Sequence, residues 1–82
     1  MFRKLVQSAP IDVDGRSYVV HYFEHRTARG GRRFSAEIII GADDRIILDD
    51  DSLTSLQAKV ARLAPAMIDS RALAARGASV AA

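Results

Sequence analysis

The spacing of apolar residues changes once along this chain, near Asp51, and that change limits the chain to a sheet followed by a helix. Before it, residues 17–26 (SYVVHYFEHR), 32–41 (RRFSAEIIIG) and 45–50 (RIILDD) are rich in β-branched and aromatic side chains. Such residues suit a pleated strand. Gly30-Gly31 separates the first two runs and Gly41-Ala42-Asp43-Asp44 the second two. Both are hairpin connections, because glycine and aspartate tolerate the backbone angles of tight reversals. After Asp51, Leu53, Leu56, Val60, Leu63 and Met67 recur at steps of three and four, which marks one face of a helix.

The expectation is an α+β fold: an antiparallel β-meander of three to four strands followed by a C-terminal helix, β-β-β-α with a short leading strand. Ile11 and Val13 would make that leading strand, joined by an Asp14-Gly15 turn, with Pro10 confining it to a sheet edge. Residues 2–8 either extend it or form a loose turn of helix. Ser52 is a natural N-cap, and Asp49, Asp50 and Asp51 put negative charge at the positive end of the helix dipole. Thr54 with Gln57 offers a rival capping box. Pro65 removes a hydrogen bond and crowds the carbonyl of Ala61, so the helix is expected to kink or break there. A second helical stretch, 66–76, should stop at Gly77, leaving residues 78–82 as a disordered tail. Eighty-two residues make a single small domain.

Strand register converts these runs into faces. Three-residue loops at 29–31 and 42–44 set Tyr22 opposite Ile38, Val20 opposite Ile40, Ile40 opposite Ile46 and Ile38 opposite Leu48. A strict Gly30-Gly31 turn would instead oppose Glu24 and Glu37, which is unfavourable. One face then carries Tyr18, Val20, Tyr22, Phe34, Ala36, Ile38, Ile40, Ile46 and Leu48, and the helix docks there. The other face carries Val19, His21, Phe23, His25, Ser35, Glu37, Ile39 and Ile47. Half of these are large and apolar, whereas a solvated face is mostly polar. One helix cannot cover both sides.

Composition narrows the function. Hydrophobic residues at 49% and charged residues at 27% describe a folding chain. A chain this short has a thin stability margin and often gains from pairing with a copy of itself. With no cysteine, disulfides and thiolate metal sites are excluded. No run reaches the roughly 18 apolar residues of a membrane span, and residues 1–10 lack the apolar core of a signal peptide. No membrane partner is therefore expected, and a cytoplasmic protein of bacterial type is.

Residues 25–35 (HRTARGGRRFS) concentrate charge: Arg26, Arg29, Arg32 and Arg33 flank the two glycines without an acid among them. They could neutralise phosphates, or contact an acidic partner, or simply keep an exposed turn soluble. Five aspartates lie between 43 and 51 against Arg45 alone, so the two clusters are expected to form separate poles. The aspartates lack the alternating spacing and glycine of a calcium loop, and helix capping accounts for them. His21 and His25, four apart on a strand, are roughly 13 Å apart and cannot share a metal. No serine or lysine has an evident base and orienting partner, and no glycine-rich loop leads from a strand into a helix. No catalytic, cofactor-binding or metal-binding residue is expected, and the protein is read as not an enzyme.

Two functions remain. The first is a protein-interaction module that forms a homodimer through the second sheet face or an edge strand, with Val19, Phe23, Ile39 and Ile47 at the interface. The alternative is a nucleic-acid-binding domain that uses Arg26, Arg29, Arg32 and Arg33.

Overall fold

A computed structural model of the chain describes residues 3–81, with side chains described for residues 3–74. Four strands precede one helix: β1 (Arg3–Val13), β2 (Arg16–Arg26), β3 (Arg32–Gly41), β4 (Asp44–Asp50) and α1 (Leu53–Ala81). The strands form a single antiparallel meander in the order β1-β2-β3-β4. The fold is α+β, with the leading strand present and longer than expected.

Local chemistry explains the joints. Asp14 (φ 54°) and Gly15 (φ 80°) both take the left-handed conformation of a two-residue hairpin turn whose twist matches its strands. Pro10 sits in β1, a sheet edge, where a missing N–H costs least. At the base of α1, Ser52 accepts from the Ser55 backbone N–H at 3.1 Å through its hydroxyl, and its carbonyl takes the Leu56 N–H at 3.0 Å. Ser52 is therefore the N-cap, and Thr54 lies inside the helix.

Both expected registers are off by two residues. Val20 opposes Ile38, Tyr22 opposes Ala36, and Ile38 opposes Ile46. In the first hairpin the loop is five residues, 27–31, because Thr27 closes it: its N–H donates to the Gly31 carbonyl at 2.8 Å and its hydroxyl accepts the Gly31 N–H at 3.1 Å. Gly30, at φ 83°, supplies the left-handed residue. In the second, the reversal is Ala42-Asp43, and the register slips at Ile40 between Ile39 and Gly41. A shift of two keeps every side chain on its face, so the facial assignment holds.

The core lies between the sheet and α1. Val13, Val20, Tyr22, Ala36, Ile38 and Ile46 meet Leu56, Val60, Ala64 and Ile68 there. The buried helical stripe thus runs 56, 60, 64, 68 and passes through Ala64 rather than Leu63. Ala36 and Ala64 are fully buried small residues, which lets helix and sheet approach closely. The break expected at Pro65 does not occur: α1 is one element across it. Ala61, whose carbonyl loses its partner to proline, is exposed, so water can replace the lost bond. Nor does the helix stop at Gly77. Ala74, Ala75 and Ala78 around it are the strongest helix formers, and α1 continues to Ala81. Of the tail expected at 78–82, residue 82 lies outside the described residues, and the backbone before it is helical.

Candidate functional site

The face of the sheet opposite α1 carries no second layer among the described residues. Paired residues share a face, so the registers lay it out in rows across the strands. Leu5, Phe23, Ser35 and Asp49 form one row; Ser8, His21, Glu37 and Ile47 the central one; Pro10, Val19, Ile39 and Arg45 the third. Beyond them lie Arg3, His25 and Arg33 at one end, and Asp12 and Ser17 at the other. A register shift at Val6 reverses the alternation of β1, which brings Arg3 and Leu5 to this face.

All four apolar residues expected here are present on it. Val19 is 46% exposed and Ile47 60% exposed, while Phe23 and Ile39 are half-buried. Leu5, 52% exposed, extends the patch across β1. Its position depends on the shift at Val6, which no residue type announces.

At the centre stands Glu37, only 4% exposed although no helix covers it. Two arginines roof it. Arg3 forms an ion pair with one carboxylate oxygen, and Arg45 donates to the other at 2.9 Å. The Arg3 guanidinium also lies over the Phe23 ring, 4.0 Å from its centroid. His21 meets Phe23 edge to face at 6.4 Å and is hydrogen-bonded to the Ser8 hydroxyl at 2.8 Å. Burial pushes the Glu37 carboxyl up, but the hydrogen bonds and charges of Arg3 and Arg45 outweigh it and hold it below its ordinary value. A signal for this cluster was in the chain. An acid between Ala36 and the Ile38-Ile39-Ile40 run needs a cation from a neighbouring strand, and Arg45 is the only base in β4.

A pH dependence follows. A carboxyl lowered by folding adds stability above its ordinary value of 4.5, and that stability is lost as pH falls through the lowered native value. The urea midpoint should therefore drop as pH falls from about 5 towards 3, and Glu37→Gln should flatten part of that slope. Asp50 contributes with the same sign in both proteins. Its carboxyl is lowered first by the Asp51 backbone N–H and then by Lys59. An unchanged slope in the Gln variant would contradict the role given to Glu37.

The charged clusters are not separate poles. Because β3 pairs with β4, the start of one lies beside the end of the other: Arg33 forms ion pairs with Asp51 and, at 3.8 Å, with Asp49. Arg32 lies 3.6 Å from Glu24. Lys59 pairs with Asp50, and Arg71 with Asp44 at the far end of the sheet. Arg26 and Arg29 remain exposed, with no ion-pair partner among the described residues.

A second opening, about 700 Å³, lies where α1 diverges from the β1–β2 turn, bounded by Arg16, Tyr18, Asp69 and Leu73. It collects no constellation with evident chemistry. No helix among the described residues is long and apolar enough to cross a membrane. No protein-family model, no curated protein and no solved structure matches this chain.

Proposed function

We propose that this protein is a non-enzymatic interaction module that forms a homodimer through the open face of its sheet. One observation carries the reading. α1 packs wholly on the other face, while Leu5, Val19 and Ile47 stand about half exposed or more around half-buried Phe23 and Ile39. Exposed apolar groups of this size on an uncovered sheet face, here on either side of the Ser8–His21–Glu37 row, mark interaction sites. Size agrees: four strands about 4.8 Å apart and about nine residues long give a face of roughly 600 Å² in projection. Side-chain relief brings this towards the about 800 Å² per partner of an ordinary interface. Light scattering at micromolar concentration should give twice the 8.9 kDa of one chain. A monomer persisting to hundreds of micromolar would refute the reading.

A second reading, nucleic-acid contact by the β2–β3 hairpin, is supported by exposed Arg26 and Arg29. It is weakened by Arg32 and Arg33, which already face acids of their own chain. If it holds, retention on immobilised nucleic acid falls steeply with salt, and replacing Arg26 and Arg29 together by alanine removes most of it. Retention that ignores salt, or survives that double replacement, excludes it.

A further inference from the structure

Arg3 and Arg45 start from opposite edges of the sheet, β1 and β4, and both reach inward to the same carboxylate on β3. Two guanidiniums brought together repel each other, and Glu37 holds them there by giving one oxygen to each. Glu37 is buried beneath them, while their own side chains stay 49% and 59% exposed. Each donates to Glu37 through Nη1. Their remaining N–H groups have no other hydrogen-bond or ion-pair partner among the described residues.

Two cations over one anion leave one positive charge. It sits between apolar groups, with Leu5 and Phe23 in the row on one side, Val19 and Ile39 in the row on the other, and Ile47 across from Glu37. Guanidinium forks that converge on one point match a single oxyanion. One carboxylate brings the cluster to neutrality, whereas a doubly charged phosphate would leave excess negative charge above Glu37. A hydrocarbon body attached to that carboxylate would also cover the apolar side chains, which a small hydrophilic anion leaves wet. Neighbouring rows lie about 7 Å apart along the strands, within reach of a medium-length chain.

We propose that Arg3 and Arg45 form a binding site for a monocarboxylate with a hydrocarbon body. The carboxylate lies across the two guanidiniums and the body on the apolar rows beside them. Glu37 already fixes both arginines, so less side-chain ordering opposes binding. The site needs no second copy of the chain. It shares a face with the proposed homodimer, so ligand and partner exclude one another, and excess ligand displaces the partner by mass action.

Titration of the full chain with excess octanoate, 1-octanol or acetate, followed by amide chemical shifts, separates the requirements. Octanoate should give saturable shifts centred on Phe23, Glu37 and Arg45. Octanol and acetate should bind at least tenfold more weakly, since one lacks the charge and the other the hydrocarbon. Arg3→Gln and Arg45→Gln should each weaken octanoate about tenfold by removing a charged donor. Arg29→Gln, the same loss of charge in the exposed hairpin loop, should leave it unchanged. Octanol equal to octanoate would reduce the face to plain apolar contact, and acetate equal to octanoate would remove the need for hydrocarbon; either overturns the assignment. So does an Arg29→Gln loss as large as the other two, an absence of saturable shifts, or shifts confined to the opening beside Leu73. The comparison of ligands on the unaltered chain requires no variant to fold. Light scattering without ligand decides the homodimer separately, and a monomer that binds octanoate in this way refutes the homodimer alone.

Discussion

Replacing Ile38 by alanine should lower the free energy of unfolding by about 3–4 kcal/mol, read as a lower urea midpoint at an unchanged slope. Ile38 is fully buried and opposes Val20 on one side and Ile46 on the other. The loss adds the transfer free energy of the deleted carbons to that of the cavity left behind. Collapse is restricted, because two hydrogen-bonded strands hold the backbone and the capped helix roofs the site. Domains are stable by only about 5–15 kcal/mol, and a short chain sits low in that range, so much of the protein should unfold near 37 °C. The neighbouring residue provides the control. Ile39 points to the open face and is half-buried, so Ile39→Ala should cost less than half as much in the monomer. Equal losses at the two positions would contradict the assignment of faces.

The largest expected effect on assembly comes from Ile47→Asp. Ile47 is 60% exposed and lies opposite Glu37 on the uncovered face, so the change leaves the core untouched. In the assembled protein it would bury a carboxylate beside Glu37. A buried, unpaired charge costs several kcal/mol, so the dissociation constant should rise at least a hundredfold. Sedimentation should show a monomer with an unchanged circular dichroism spectrum. An Ile47→Asp protein that remains a dimer would place the interface elsewhere, and the exposed Leu73 beside the second opening is the first alternative.

How far the chain itself announces this structure depends on the element. The strands, their order and the single helix are legible, because alternating β-branched residues and a 3–4 spacing report burial of one face. Face assignment survives wrong registers because an error of two residues preserves the alternation. The registers themselves depended on Thr27 closing a longer loop by its hydrogen bonds to Gly31 and on the slip at Ile40, neither of which a residue type marks. The capacity of Ala64 to serve where Leu63 was expected reflects how closely helix and sheet approach, a tertiary property. Arg3 and Leu5 were missed for the same kind of reason: the shift at Val6 decides which way β1 faces. The separation of charge into poles failed because proximity in the sheet, with β3 beside β4, overrides distance along the chain. The patch of Val19, Phe23, Ile39 and Ile47 was legible because it needed only the alternation.

Hydroxyl-radical footprinting over a dilution series tests the central claim most directly, since it reports which surface becomes covered. If the open face is the dimer interface, Leu5, Phe23 and Ile47 gain protection together as concentration rises, while Leu73 on the helix side keeps the same reactivity. Equal labelling of all four at every concentration, or protection confined to Leu73, would contradict it.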